Sequence, residues 1–343
     1  MPDAPAFSPQ DPAWLAHRHV EGADAIRFIH VPRADRVSVP FLTDANLDER
    51  PGPHDLPVAD CLAAFAPPAP RWLFHSAFCG STMLAHAFDL PGIASSLSEP
   101  VLLNDVVGLR RRGAPPAQVA RLADAALRAL GRTWPGEEAV IVKPSNVANP
   151  LAELFMALRP EATAVFLFAP LETFLISVAR KGLPCRLWVR ELLEGYLRED
   201  YVALGFGTED YFRQSDLQVA AVGWLAQHAR FIGLAGRLGP ARLRMLDADR
   251  MIADPAATVA SVARHFGLAL PGDGAGAIAG GRAFARHSKS GGAYSADERS
   301  ADYAVARASY GEEIAAVLEW AARVAEGAGI TLNPPADLCI QAV

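Results

Sequence analysis

Residues 72–88 read WLFHSAFCGSTMLAHAF. WLFH (72–75) is a short apolar run of the kind that forms a strand. Ser76, Ala77, Gly80 and Ser81 are small residues that permit a tight turn, and Thr82 opens an apolar helical stretch. A strand, a tight turn and a helix in this order aim several backbone N–H groups at one point, where an anion is favoured. Gly80 lets the backbone approach a ligand closely, and Ser81 and Thr82 add hydroxyl donors. The stretch is not GxxxxGK[ST], because the lysine position of that motif is Ser81 here. Its plain alternative is an ordinary strand–turn–helix of an α/β core.

Further along the chain, short apolar runs alternate with long helical stretches. AVIVK (139–143), TAVFLF (163–168) and RLRML (242–246) are nearly all apolar, as suits strands buried on both faces of a parallel sheet. Helices are expected over about 115–131, 150–158, 171–181, 188–204, 214–238 and 309–326. Asp254-Pro255 reads as an N-cap and first-turn proline opening a helix to Phe266. The expectation is an α/β, three-layer fold with a parallel sheet, spanning 71–330. Residues 331–343 are a C-terminal tail. Residues 1–70 read as an N-terminal extension with short β-strands at Ile26–Val31 and Val37–Leu42, the turn PRADR between them, and a loop over 50–57. APPAP (66–70) separates this extension from the rest.

The 343 residues are 51% hydrophobic and 20% charged, which excludes a disordered chain and allows a sizeable core. A net charge of −6 argues against a nucleic-acid coat or a basic membrane-surface protein. It leaves room for an anionic small-molecule ligand, since a pocket needs only a local cluster of donors. Cys61, Cys79, Cys185 and Cys339 are scattered, with no CxxC pair and no His/Cys cluster, so neither a zinc site nor a disulfide framework is expected. No stretch reaches the ~18 uncharged apolar residues of a membrane helix, and the first twenty residues lack a basic region followed by an apolar run. The expectation is a cytoplasmic protein without metal, and the Ala, Arg, Gly and Pro bias points to a GC-rich bacterium.

The turn and its downstream context resemble the sulfotransferases that use 3′-phosphoadenosine 5′-phosphosulfate (PAPS). GST (80–82) followed by Met83-Leu84 is similar to the end of that family's P-[RK]-S-G-[ST]-T loop. LRMLDADRMIADPAATVASVARHFGL (243–268) resembles the family's later strand, acidic segment and Asp-Pro helix. AVGWLAQHARFI (221–232) is similar to the tryptophan-bearing helix before that strand. The resemblance spans about 71–326. It implies a P-loop fold and transfer of a sulfuryl group from PAPS to a hydroxyl or amine. Cys79, Gly80, Ser81 and Thr82 would hold the donor's phosphosulfate. Phe78 and Cys79 stand where the family has a basic residue and a serine. Lys143, at the end of its strand, is the candidate replacement cation, and otherwise a lysine that snorkels to solvent. His75, directly under the turn, is a second candidate, or else a histidine bonded to the backbone.

In FLFAPLETFLISVARKG (166–182), Ser177 matches the family's 3′-phosphate serine, whereas the arginine position falls near Phe168 or Ala169. Arg180 and Lys181, one turn on, could supply charge; their alternative role is to complement the helix dipole. RAFARHSKSGGAY (282–294), after the glycine-rich tract 272–281, has the character of the family's closing loop, with Arg286 and Lys289 as donors. Glu99 is the candidate general base, or else part of an SxEP helix start capped by Ser96 or Ser98. Arg110–Arg112 reads as a solvated helix end. Ile314, Val317, Leu318 and Ala321 form an apolar stripe suited to the core or to a homodimer. The expected partner is a small-molecule or peptide acceptor. A P-loop small-molecule kinase using ATP and magnesium, and an inactive nucleotide- or partner-binding module, are the competing readings.

Overall fold

The computed structural model describes residues 5–47, 52–285 and 296–341. The chain begins with a three-stranded antiparallel sheet, β1 (Trp14–Val20), β2 (Ala25–His30) and β3 (His54–Pro57), in that spatial order. The main sheet follows: β4 (Arg71–His75), β5 (Ala94–Ser98), β6 (Ala139–Lys143), β7 (Thr163–Phe168) and β8 (Leu243–Asp247). Its order is β5-β6-β4-β7-β8, and every pairing is parallel. The four apolar runs at 72–75, 139–143, 163–168 and 242–246 therefore mark four of its five strands. Their near-continuous burial follows from helices on both faces.

The Asp254 carboxylate accepts from Ala257 N at 3.0 Å and caps helix Pro255–Phe266, which Gly267 ends in the left-handed conformation. Ile314, Val317 and Ala321 of helix Ala296–Gly327 are buried within the chain's own core, with Leu318 packed against it. The core is continuous: Trp14, Ile26 and Phe28 of the first sheet belong to the same apolar cluster as Trp72, Phe74 and Phe166 of the second.

Several local expectations are corrected. Residues 37–42 are not a strand. Arg33–Ser38 is a short helix, in which the Arg36 guanidinium donates to Val31 O at 3.0 Å. Part of the predicted loop at 50–57 is strand β3, paired with β2 through Leu56 opposite Ile26. The helix expected at 188–204 runs Gly182–Arg198, because the preceding helix ends at Arg180 and Gly182 turns the chain at φ +67°. The glycine-rich tract contains the short helix Gly274–Ala279, capped by Asp273. Arg110 and Arg111 are not simply solvated. Both bind Glu199, whose side chain is only 2% exposed.

Strand β4 lies between β6 and β7, and the chain leaves it first toward β5 and β6 and then returns past it to β7. In open parallel sheets such a reversal opens a crevice at the carboxyl ends of the strands. The turn after β4 stands over that crevice.

Candidate functional site

The turn at residues 76–80 is strained. Ala77 (φ +72°), Phe78 (φ +53°) and Gly80 (φ +79°) are all left-handed. Two such conformations at non-glycine residues cost ~1 kcal/mol or more each, and surrounding bonds must hold them. Those bonds are present. Ser76 N donates to Leu167 O at 3.1 Å, and Ser76 Oγ accepts from Ala169 N at 3.1 Å, fixing the turn to the end of β7. Ala77 N donates to His75 Nδ1 at 3.1 Å. Gly80 is held by its φ of +79°, which favours glycine; a Cβ there would stand 2.9 Å from Met251 Cε, the movable end of a flexible side chain. The outcome is that the amides of Gly80, Ser81, Thr82 and Met83 have no hydrogen-bond acceptor among the described residues, while the Ser81 and Thr82 side chains stand beside them.

A cavity of about 440 Å³ opens on this turn. Ala77, Phe78, Gly80, Ser81 and Thr82 form one side of it, with His75 beneath. Glu99 enters from the end of β5, and Ser145 and Asn146 from beyond β6. Lys181, Pro184, Cys185 and Trp188 come from the helix region after β7, and Phe41 from the N-terminal segment. Phe41 is delivered by a strap: Leu42 N donates to Ser98 O at 2.8 Å, and Val101 N to Leu42 O at 3.1 Å. Residues of the extension thus complete the cavity wall.

The candidate residues divide into four groups. Gly80, Ser81, Thr82, His75 and Glu99 are brought together around the cavity. Cys79 is buried within the same turn. Lys143 is adjacent but fully buried, and it meets the cavity through Glu99, donating to Oε1 at 2.5 Å. Its Nζ also lies 5.2 Å from the centre of the Phe41 ring. It neither snorkels to solvent nor lines the cavity. Ser177 and Arg180 do not line the cavity either. Ser177 is buried, donates to Thr173 O at 2.9 Å and shares a 3.1 Å hydrogen bond with Tyr303 Oη. Arg180 is exposed at the end of helix Leu171–Arg180. Arg286 and Lys289 lie outside the described residues.

Two of these side chains have their roles set by bonding. Ala77 N–H can only donate, so His75 Nδ1 accepts and the ring proton sits on Nε2. Nε2 then donates to Pro144 O at 3.1 Å, with Glu99 Oε1 at 3.8 Å. The imidazole braces the turn against β6. Glu99 itself is left-handed (φ +49°), and its N–H donates to Lys143 O at 2.6 Å. Backbone and side chain both tie Glu99 to Lys143. Ser98 Oγ has no partner among the described residues, and helix Val101–Arg111 begins after Pro100 without a side-chain cap, so SxEP is not a capped helix start.

Sequence reasoning missed Phe41, Asn146 and Trp188. Asn146 is the last residue of AVIVKPSN, beyond a strand that points at the crevice, and that position was its signal. Its Nδ2 is buried and has no partner among the described residues. Lys181 lies 5.6 Å from the centre of the Phe78 ring, which packs against Phe174 and Trp188. A cation therefore sits beside the very residue that replaces the family's loop cation.

In charge, the Glu99 carboxylate is balanced by Lys143, and Lys181 adds a positive charge at the wall. With the amides of 80–83, two hydroxyls and the Asn146 amide, the donor set suits a phosphate- or sulfate-like group. No group of three or more His, Cys, Asp or Glu able to hold a metal occurs among the described residues. No helix among them is long and apolar enough to cross a membrane.

No protein-family model and no curated protein matches the chain. Solved structures similar to it include two sulfotransferases. One is the sulfotransferase STF1 from Mycobacterium tuberculosis H37Rv, at 17% identity and a TM-score of 0.41, covering 64% of this chain and 73% of that one. The other is the sulfotransferase STF9 from Mycobacterium avium, at 11% identity and a TM-score of 0.45, covering 72% and 78%. The likeness is one of fold.

Proposed function

We propose that this chain is a sulfotransferase-like enzyme, moving a sulfuryl group from PAPS to a hydroxyl or amine of a small-molecule or peptide acceptor. The observation that carries this reading is the cavity at the ends of β4, β5 and β6, where unpaired turn amides and Lys181 face Glu99. The donor set fits a phosphosulfate, and the orphaned Asn146 Nδ2 adds one more hydrogen-bond donor. PAPS supplies the transferable sulfuryl group. The protein supplies position and charge, which dominate group transfers of this kind. The amides of 80–83 and the Ser81 and Thr82 hydroxyls hold the phosphosulfate oxygens. Lys181 does the work of the loop cation that Phe78 replaces. Lys143 is a positioning residue that neutralises Glu99 through Oε1 and leaves Oε2 toward the acceptor. Glu99 Oε2 receives the acceptor's proton.

Thermal-shift titration with 3′,5′-adenosine bisphosphate, and separately with ATP plus magnesium, tests the reading, since a ligand that binds only the folded state raises its stability. Stabilisation by the bisphosphate alone is the expected result. Stabilisation by ATP only with magnesium would point to a kinase, and a shift with neither would sink both enzyme readings. Binding of the bisphosphate without consumption of labelled PAPS over a broad acceptor panel would mark an inactive binding module.

A further inference from the structure

Glu99 stands directly after β5 in the left-handed conformation, at φ +49°. A non-glycine residue keeps that conformation only where its surroundings over-determine it. One fixing bond runs from Glu99 N to Lys143 O at 2.6 Å. Two more come from the N-terminal strap, residues 39–47. Leu42 N donates to Ser98 O at 2.8 Å, and Leu42 O accepts from Val101 N at 3.1 Å. A single strap residue thus clamps the chain immediately before Glu99 and two residues after it. Its neighbour Phe41 lies over the Lys143 ammonium that Glu99 binds, with the ring centre 5.2 Å from Nζ.

The strap has its own anchor two residues further on. Asn46 N and Leu47 N both donate to Thr43 O at 3.0 Å, and this turn presents Asp44 to β1. The Asp44 carboxylate spans two successive residues there, with Oδ1 on His17 Nε2 at 2.6 Å and Oδ2 on Arg18 Nη1 at 2.5 Å. His17 is buried, and burial pushes its pKa below the ordinary value, with the Asp44 hydrogen bond offsetting part of that shift. The neutral ring facing a carboxylate donates through Nε2–H. Arg18 is fixed in turn by Asp105, through Nε and Nη2 at 2.9 Å each. Asp105 lies one turn into helix Val101–Arg111, the helix that begins at the clamped residue Val101. Clamp and anchor therefore close a ring: Leu42, Val101, Asp105, Arg18, Asp44 and back to Leu42.

We infer that Asp44 is a positioning residue for Glu99, acting through the strap. It does not line the cavity, and its side chain is 57% exposed. Its carboxylate fixes where Leu42 and Phe41 stand, and they fix the backbone of Glu99 and the cover over its lysine. A base must be held close to its working geometry, since small misplacements cost rate steeply. The inference rests on the reading of Glu99 as the base.

Amide hydrogen exchange and steady-state kinetics on the full chain test it, with Asp44→Ala and Asp44→Glu beside the wild type. In Asp44→Ala the amides of Leu42, Glu99 and Val101 should exchange about tenfold faster, the worth of one charge-assisted hydrogen bond. Leu84 N, which donates to Gly80 O at 3.0 Å beside the donor turn, should keep its rate. With PAPS and an acceptor that the wild type uses, kcat should fall about tenfold while KM for PAPS stays within about twofold. A general loosening of the fold would instead speed Leu84 and raise that KM. Asp44→Glu restores a carboxylate and should recover most of both effects. Unchanged exchange at Leu42, Glu99 and Val101, an equal rise at Leu84, or full kcat despite faster exchange would overturn the proposal. Bisphosphate titration of the wild type is the separate control. If the bisphosphate does not bind, the reading of the cavity as a PAPS site fails, while the exchange rates still decide whether Asp44 holds the Glu99 backbone.

Discussion

Lys143 Nζ donates to Glu99 Oε1 at 2.5 Å, with the lysine fully buried and the carboxylate at the cavity wall. The pair exists because β5 and β6 are neighbours in register, Ser98 opposite Lys143, so that the next residue of β5 turns back over the lysine. Removing one partner of such a pair strands a charge in a low-dielectric interior. Lys143→Met should therefore destabilise the fold by about 3 kcal/mol in urea unfolding, and the double variant Lys143→Met, Glu99→Gln should recover much of that loss. Equal stability of wild type and Lys143→Met would show that the pair contributes nothing.

Lys181 tests where the missing loop cation went. Its side chain is exposed and its ammonium lies over the Phe78 ring, a contact worth about 0.5–1 kcal/mol at such a site, so Lys181→Ala should lower the unliganded melting temperature by no more than a few degrees. Affinity for 3′,5′-adenosine bisphosphate should fall about tenfold, the effect of one charge-assisted hydrogen bond. Unchanged affinity would remove Lys181 from the anion site.

Asn149 holds the His75 carbonyl at 3.0 Å and Gln227 at 2.8 Å, all three buried. Asn149→Leu leaves those groups unsatisfied and should cost about 2–3 kcal/mol of stability. Because His75 braces Ala77, bisphosphate affinity should fall as well. A stable variant with full affinity would show that the turn is held without this brace.

His228 links stability to pH. It is buried against Trp224 and Phe168, and burial pushes its pKa down to about 4 from the ordinary 6.5, with a Leu332 backbone group offsetting part of the shift. Between those values the unfolded chain binds the proton more readily than the folded one. Stability from this group is therefore complete above pH 6.5 and is lost as pH falls toward 4, by up to about 3 kcal/mol. His228→Phe should flatten that part of the urea-unfolding pH profile. A wild-type profile with the same slope as the variant's would contradict the assignment.

Much of the fold was legible as local pattern. The apolar runs at 139–143 and 163–168 announce strands buried on both faces, and Asp254-Pro255 announces a helix start, because the physical cause lies within a few residues. Strand β1 was not legible. WLAHRHV carries His17, Arg18 and His19, which break its apolar character. Their partners are distant in sequence: His17 meets Asp44 at 2.6 Å, and Asp105 binds both the Arg18 guanidinium at 2.9 Å and His19 N at 2.8 Å. Strand β5, ASSLS, is fully buried although three of its five residues are serine.

The same division holds at the site. By itself the sequence determined that a tight turn of small residues follows β4 and that Lys143 stands at a strand end, since backbone sterics and strand periodicity act locally. Only the tertiary structure decided which of these side chains meet. It buried Lys143 against Glu99, used His75 as a brace, brought Phe41 across from the N-terminal segment and set Lys181 beside Phe78. Those contacts join residues far apart in the chain. Sheet order and helix docking set them, and no local pattern encodes either.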